Sequence, residues 1–248
     1  MSKDLRFAML LDCYGEFLTP HQYRLTELYY CADLSLSEIA EIVGITRQGV
    51  RDGIKRGEQI LQEMEDKLQF AARFNALREN YRELAENDYL IHNDRGNQMT
   101  SLFMGEVTLW DAMNPGAREF IWRVCKKNYY DKGIKLFWLD SAEPIYNNDH
   151  IDNLRYYNGP ALQVSNMYPL NFAKAFYEGL EKEGEKDIMC LIRCAWAGSQ
   201  RFGTLCWSGD IQSNFKSMRQ QIPAGLNAGM AGLPWWTTDI GGFLSGFP

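Results

Sequence analysis

The pattern of apolar and polar positions changes part-way along the chain. Residues 1–85 are rich in Leu, Glu, Arg and Gln and contain a single proline, Pro20, which is typical of consecutive helices. The remaining residues alternate short apolar runs with amphipathic stretches, and they contain all seven tryptophans. We therefore predict two domains: an all-α domain over residues 1–85 and an α/β domain over residues 86–248.

Start and stop signals divide the first domain into helices. Thr19, followed by proline, predicts a helix start, because Thr caps well and proline fits the first helical position. Ser35 or Ser37 is expected to cap a short helix that Gly44 ends in a left-handed conformation. Thr46 is expected to cap the next helix. The residue at position 40 is small, that at position 44 is glycine and that at position 50 is apolar. This pattern predicts two helices that cross closely, a helix-turn-helix.

The exposed face of the second of these helices is basic. Residues 47–56 carry four positive charges and one negative charge, although the whole chain has a net charge of −6. One hypothesis is a recognition helix in the DNA major groove, with Gln48 and Arg51 near base edges and Arg47 and Lys55 on phosphates. The alternative is a helix pair used for packing or dimerisation with a solvated basic face, since the acidic surroundings weaken phosphate binding.

The first domain resembles a known family. Its segments LLDCYGEFLT at 10–19, LYYCADLSLSEIAE at 28–41 and ITRQGVRDGIKR at 45–56 are similar to small bacterial helix-turn-helix proteins encoded beside signal-recognition-particle genes. The resemblance covers about residues 4–80, and the fold of that family is similar to region four of sigma factors. It implies a regulatory or signal-recognition role, with DNA or RNA as the partner.

Four short apolar runs in the second domain end in charged residues, at 134–140, 187–193, 205–210 and 234–239. Helical stretches lie between or before them, at 115–130, 168–183 and 214–228. This alternation predicts a parallel sheet. Charged groups at the carboxyl ends of strands are typical of the catalytic face of a (β/α) barrel, but apolar strands alone fit an open sheet equally well.

Two of the strand-end carboxylates, Asp140 and Asp210, have the chemistry that glycoside hydrolysis needs. A retaining glycosidase uses one carboxylate as the nucleophile and a protonated one as the acid, about 5–5.5 Å apart. Side chains suited to holding a sugar ring also occur near strand ends: Trp138, Arg193, Trp207, Asp239 and Phe243. The alternative is that the aspartates only cap helices or form turns.

The second domain also resembles a known family. Its segments are GIKLFWLDSAEP at 133–144, NMYPL at 166–170, RCAWAGSQRFGTLCWSGD at 193–210 and GLPWWTTDIGGF at 232–243. The first two are similar to the nucleophile region of glycoside hydrolase family 31, in its α-xylosidase and α-glucosidase branch, the third to its acid/base region and the fourth to its seventh barrel strand. The resemblance implies that Asp140 is the nucleophile and Asp210 the acid/base. It places Arg193, Trp207, Asp239 and Phe243 around the sugar, with Glu143 supporting the Asp140 loop.

The resemblance covers about residues 87–248, from just ahead of the fourth barrel strand to just after the seventh. We therefore expect an incomplete (β/α)8 TIM barrel, about strands 4–7, joined to the helical domain as a chimera. Its expected substrate is an α-linked xyloside or glucoside. Because an incomplete barrel leaves strand edges unpaired, we expect impaired activity and self-association through those edges.

Other features narrow the chemistry and the location. The three histidines lack the spacing of metal ligands, so we expect no metal, and the family implies no cofactor. The six cysteines form no C-x-x-C pair, and the N-terminus does not resemble a signal peptide. No apolar run approaches the length of a transmembrane helix. These features predict a cytoplasmic protein with reduced cysteines and no membrane partner.

Overall fold

The computed structural model describes residues 3–102, 105–143 and 151–244. It divides into two compact units, Met1–Glu83 and Leu84–Pro248. This division falls two residues before the boundary that the composition predicts. Within the described ranges, no helix is both long and apolar enough to cross a membrane.

Helices build the N-terminal unit, in the order α1 (Arg6–Tyr14), α2 (Pro20–Tyr30), α3 (Leu36–Val43), α4 (Arg47–Leu68) and α5 (Phe70–Glu86), the last of which extends past the unit boundary. The capping predictions are confirmed. Thr19 and Ser35 each form a capping box, with Gln22 and Glu38 respectively, so Ser35 rather than Ser37 begins α3. Thr46 accepts a hydrogen bond from the Gly49 N–H at the start of α4.

A short turn joins α3 to α4. Gly44 has a φ of 72°, in the left-handed region that favours glycine, and its N–H donates to the Ala40 carbonyl. Val50 and Ile54 of α4 are buried against Ile39 and Leu25, as the apolar spacing predicts. The turn and the buried residues together fix the crossing of α3 and α4.

Close contact between α2 and α4 depends on two glycines of α4. A Cβ at Gly57 would lie 2.7 Å from the hydroxyl oxygen of Thr26, and a Cβ at Gly53 would lie 2.4 Å from a methyl carbon of Leu25. Both Leu25 and Thr26 are fully buried. The two glycines therefore let the helix backbones approach more closely than any larger residue would allow.

The Glu65 carboxylate stabilises the junction between α4 and α5. Gln69 ends α4 in the left-handed region, with a φ of 56°. Glu65 then accepts hydrogen bonds from the first backbone N–H groups of α5, those of Ala71 at 3.1 Å and Ala72 at 2.9 Å. The Tyr14 hydroxyl donates to the same carboxylate at 2.5 Å. Burial opposes the charge of Glu65, but these donors outweigh it and lower its pKa.

The C-terminal unit mixes strands and helices. Its elements are β1 (His92–Asn93), β2 (Thr100–Leu102), β3 (Glu106–Thr108), α6 (Pro115–Asn128), β4 (Phe137–Leu139), β5 (Leu154–Tyr156), β6 (Gly159–Pro160), α7 (Ala161–Val164), α8 (Tyr168–Lys182), β7 (Cys190–Ile192), β8 (Thr204–Trp207), α9 (Phe215–Met230) and β9 (Trp236–Thr237). Strands β1, β5 and β6 form a small antiparallel sheet, and β2 pairs with β3. The sequence did not predict these pairings, since two or three residues are too few to show an alternating pattern.

A parallel sheet in the order β4-β7-β8-β9 carries the rest of the unit. Three of the strands lie within the apolar runs and β8 begins one residue before its run, so the predicted parallel sheet is confirmed. Leu139 of β4 and Ile192 of β7 are paired in register and buried. They belong to the same core cluster as Trp122 of α6 and Phe176 of α8. The packed helices hold the carboxyl ends of β4 and β7 at one edge of the sheet.

Gly179 sets the distance between α6 and α8. A Cβ at this position would lie 2.1 Å from a ring carbon of Trp122, so an alanine would require the ring to move. We expect Gly179→Ala to lower the free energy of unfolding of this unit by about 1–3 kcal/mol, the usual cost of overpacking a core. Gly229→Ala is the matched control, because nothing lies within 4 Å of its Cβ position. That change should raise stability by up to about 1 kcal/mol. Tryptophan fluorescence during urea unfolding measures both, and equal stability of the two variants would contradict the packing argument.

The Glu65 cap predicts a pH dependence of the N-terminal unit. Because its pKa is lowered on folding, Glu65 contributes stability above its ordinary pKa of 4.5, and that contribution is lost as pH falls through the folded value. Glu65→Gln should therefore destabilise the helices at about pH 7 and have less effect at about pH 3. Circular dichroism during urea unfolding follows the helices. Tryptophan fluorescence serves as the internal control, since every tryptophan lies in the other unit. An unchanged pH dependence would mean that Glu65 does not stabilise the junction.

Candidate active site and basic helix face

The parallel pairing of β4 and β7 brings two candidate residues together. Asp140 follows the last residue of β4, and Arg193 follows the last residue of β7. Because those last residues are paired in register, the two side chains leave the same edge of the sheet. Asp140 Oδ1 lies 3.1 Å from Arg193 Nη1, which makes a direct ion pair.

Arg193 also contacts other groups after β4. Its Nη2 forms an ion pair with Glu143 Oε1 and donates a hydrogen bond to the Ser141 hydroxyl at 3.3 Å. Burial alone would lower the pKa of Arg193. Glu143, Asp140 and Asp210 outweigh it and raise that pKa. A guanidinium that is only 19% exposed therefore lies in the electrostatic field of three carboxylates from two different loops.

Several buried polar atoms at the sheet edge have unused hydrogen-bonding capacity. In the described ranges, Arg193 Nε, Glu143 Oε2 and Asp239 Oδ2 are buried without a hydrogen-bond partner. Buried polar atoms in proteins are usually satisfied. Donors and acceptors of this kind are well suited to the hydroxyl groups of a sugar.

Ser141 is a site residue that sequence analysis missed. Its φ of 53° is in the left-handed region, which is uncommon for a residue with a side chain. Its N–H donates to Asp140 Oδ1 at 2.7 Å, and its hydroxyl accepts from Arg193. Its position directly after Asp140 was the only available signal. The contact with its own neighbour also fits the alternative that Asp140 forms a turn. The last residue of the predicted nucleophile segment, Pro144, lies outside the described residues.

The two candidate tryptophans are in contact with each other. The rings of Trp138 and Trp207 have centroids 5.6 Å apart at an interplanar angle of 71°. Trp138 is 62% exposed, whereas Trp207 is buried. Trp138 therefore offers a free apolar face, and Trp207 supports that ring from the side.

The remaining candidates follow β8 and β9. Asp210 lies three residues after the end of β8, and the Ser208 and Thr238 hydroxyls, 2.8 Å apart, link the segments that follow the two strands. Asp239 lines a largely apolar cavity of about 730 Å³ beside α9 and β9. In the part of the chain that the structure describes, neither Asp239 nor Phe243 is hydrogen-bonded or ion-paired to Arg193. The structure thus joins Asp140, Glu143 and Arg193 directly, whereas it shows no such polar contact to Asp239 or Phe243 among the described residues.

The described cysteine thiols of this sheet are poor nucleophiles, and burial also raises the pKa of Cys194, which follows Arg193. Burial raises the pKa of Cys190 to about 12 and that of Cys206 to about 11, so both thiols stay protonated at neutral pH. Among the described residues, no three His, Cys, Asp or Glu side chains are grouped as metal ligands would be.

The predicted basic face of α4 is exposed, with Arg47, Gln48, Arg51 and Lys55 all accessible to solvent. The Gln48 amide donates a hydrogen bond to Asp52 Oδ1 at 2.8 Å, which occupies part of its capacity to contact a base. Lys55 lies 3.5 Å from the Glu58 carboxylate. Arg47 and Arg51 are therefore the cations of this face without an ion-pair partner among the described residues.

Comparison with known proteins identifies the family. The family model of the glycosyl hydrolases family 31 TIM-barrel domain matches residues 51–247, and the chain belongs to this family. The predicted resemblance of the second half is confirmed. The matched range begins at residue 51, inside α4. The sequence resemblance described above begins later, near residue 87.

Individual relatives agree with this assignment. The chain is 58% identical over 158 residues to the family 31 glucosidase ORF2 of Pseudescherichia vulneris, a match that covers 64% of this chain and 30% of the relative. The crystal structure of a family 31 α-xylosidase from a soil metagenome, complexed with xylose, matches with a TM-score of 0.64 and 55% identity. That match covers 66% of this chain and 24% of the xylosidase. The chain thus spans less than a third of the length of these relatives.

A different relative matches a shorter stretch. A UPF0122 protein of Acetivibrio thermocellus is 49% identical over 74 residues, which is 30% of this chain and 63% of the relative. The chain is therefore similar to proteins of two different names, a family 31 glucosidase and a UPF0122 protein.

Proposed function

We propose that the C-terminal unit carries the catalytic site of a retaining α-glycosidase. The observation that carries this proposal is the ion pair between Asp140 after β4 and Arg193 after β7, with Asp210 contributing to the field at the same guanidinium. The family assignment and the identity to an α-xylosidase with bound xylose support an α-linked xyloside or glucoside as the substrate.

In the proposed mechanism, Asp140 attacks the anomeric carbon and forms a covalent glycosyl ester while the bond to the leaving oxygen breaks. Asp210, protonated at the start, gives its proton to that oxygen. It then accepts a proton from the water that attacks the anomeric carbon, which releases Asp140 and the sugar with retained configuration. Arg193 and Glu143 hold the Asp140 loop in place.

We propose that the other candidates bind the sugar. The exposed ring of Trp138, supported by Trp207, provides an apolar face for the sugar ring. The unused polar atoms of Arg193, Glu143 and Asp239 are available to its hydroxyl groups. Phe243 is 61% exposed and would approach the sugar from the segment after β9.

We further propose that turnover by this chain is weak. In the described sheet, β4 and β9 are the outer strands, and exposed strand edges favour pairing with another chain. Leu136 and Trp138, beside or within β4, are 69% and 62% exposed. An error of about 1 Å in positioning already costs about 100-fold in rate. Weak turnover and self-association through the outer strands are the expected results.

The proposed roles predict different defects for the two aspartates. Asp140→Ala should abolish hydrolysis of aryl α-xylosides and α-glucosides, because no covalent intermediate can form. Asp210→Ala should slow substrates with poor leaving groups by about 10²–10⁴-fold and activated aryl substrates much less. Azide should restore the rate of this variant and yield an α-glycosyl azide. The measurement is the initial rate at high protein concentration.

Asp187→Ala is the matched control, because Asp187 is exposed and precedes β7 at the opposite edge of the sheet. Its rate should equal that of the unchanged protein. Equal losses for Asp210→Ala with good and poor leaving groups would show that Asp210 is not the acid.

A second candidate function is nucleic-acid binding by a helix-turn-helix in the N-terminal unit. The short turn at Gly44 and the exposed arginines of α4 favour it, as does the similarity to a UPF0122 protein. In this proposal Arg47 and Lys55 contact phosphates, and Gln48 and Arg51 approach the bases. A regulatory or signal-recognition role would follow.

The second proposal predicts a change in salt dependence. Arg51→Ala combined with Lys55→Ala removes two cations, so the slope of log affinity against log salt for a DNA duplex should shrink by about two. Arg73→Ala with Arg78→Ala, two exposed arginines of α5, should leave the slope unchanged. Fluorescence anisotropy at several salt concentrations measures it. An unchanged slope for the α4 variant would place binding elsewhere.

A further inference from the structure

A groove of about 1000 Å³ lies along α4 in the N-terminal unit. Its two walls differ in chemistry. Arg47, Arg51 and Lys55 line one wall, and Phe7 of α1 and Tyr29 of α2 line the other. The α4 side of the groove is therefore rich in cations, and the other side carries aromatic rings together with Lys3 and Asp4.

The cations form a column along the helix. Residues 47, 51 and 55 are successive steps of four, so neighbouring Cβ atoms lie about 5–6 Å apart on one face. Like charges at this spacing repel each other. In the described ranges, neither Arg47 nor Arg51 forms an ion pair or donates a side-chain hydrogen bond. The two arginines are available to a ligand with a series of negative charges.

Within the described ranges, the acidic residues of the groove form no ion pair with these arginines. The Asp4 carboxylate lies 2.7 Å from the Arg6 guanidinium. The Glu58 carboxylate accepts a hydrogen bond from the Tyr30 hydroxyl at 2.6 Å and lies 3.5 Å from Lys55. Both acids are thus already engaged by other groups.

The aromatic wall is held in place by ring contacts. Tyr30 packs edge-on against Tyr29, with centroids 4.9 Å apart, and at an interplanar angle of 32° against Phe7, with centroids 5.3 Å apart. Tyr29 is only half-buried, and the Lys3 ammonium lies 4.4 Å from its ring centroid. Aromatic rings beside a track of cations are the usual arrangement for binding unpaired nucleic acid, whose bases stack while its phosphates meet the cations.

We propose that this groove binds an unpaired strand of nucleic acid, with phosphates on Arg47 and Arg51 and a base against Tyr29. The proposal rests on the second proposed function only in that nucleic acid is the partner of α4, and it assigns an unpaired strand as the ligand in place of a duplex. A concave groove with aromatic rings suits a single strand, whose bases are free to stack. The Gln48 amide donates to Asp52, which leaves only part of it available to the base edges of a duplex.

The test uses the full chain and two fluorescent probes, an oligothymidylate of about 20 nucleotides, which spans the usual site sizes, and a duplex of equal length. We expect the oligothymidylate to bind more tightly. Arg47→Ala with Arg51→Ala should reduce its salt slope by about 1.4. Tyr29→Ala should weaken binding by about tenfold, and Tyr29→Phe, which keeps the ring, should not. Arg73→Ala with Arg78→Ala should have no effect.

The outcomes separate the two proposals. Binding of the duplex but not of the oligothymidylate would overturn the groove assignment and leave the helix-turn-helix proposal standing. Binding of neither would overturn both. If the α5 control, Arg73→Ala with Arg78→Ala, lost as much affinity for the oligothymidylate, the electrostatic attraction would be general to the surface and not located in the groove. Where circular dichroism shows that Tyr29→Ala has lost helix, the double change Arg47→Gln and Arg51→Gln decides, with the same expected loss of slope.

Discussion

The candidate active site depends on one cation held among three carboxylates. Asp140, Glu143 and Asp210 all act on the charge of Arg193, and three acids in one place would otherwise repel each other. The guanidinium is largely buried and keeps its positive charge at any physiological pH. It therefore always reduces the repulsion between the negative charges of the carboxylates. Parallel pairing of β4 with β7 places Arg193 beside Asp140, because it aligns the ends of two strands that are distant in the chain.

The sequence predicts those elements whose cause is local or strongly apolar. Thr19, Ser35 and Thr46 cap their helices through contacts within three residues, and such local contacts can be predicted from the amino-acid sequence. The four apolar runs match the four parallel strands to within one residue, and residues of β4, β7 and β8 are buried. The antiparallel strands of two or three residues have no pattern to detect and exist only through their partners.

The candidate site could be predicted as residue types but not as an arrangement. Carboxylates and an arginine at strand ends indicated Asp140, Asp210 and Arg193. Only the register of β4 and β7 shows that Asp140 and Arg193 are ion-paired. The positive φ of Ser141 arises from the loop that holds Asp140, and a serine in the sequence does not predict such a φ. In the N-terminal unit, likewise, the basic residues were evident, whereas the groove requires side chains from α1 and α2.

The contact between Gly179 and Trp122 limits how this chain can diverge. A side chain at position 179 and an indole at position 122 compete for the same volume, so only one of them can be large. Among family members that keep the packing of α6 on α8, the two positions should change together, a larger residue at the first accompanying a smaller ring at the second. A single substitution at either position must pass through a poorly packed intermediate. The pair should therefore be conserved for reasons of volume, independently of any role in chemistry.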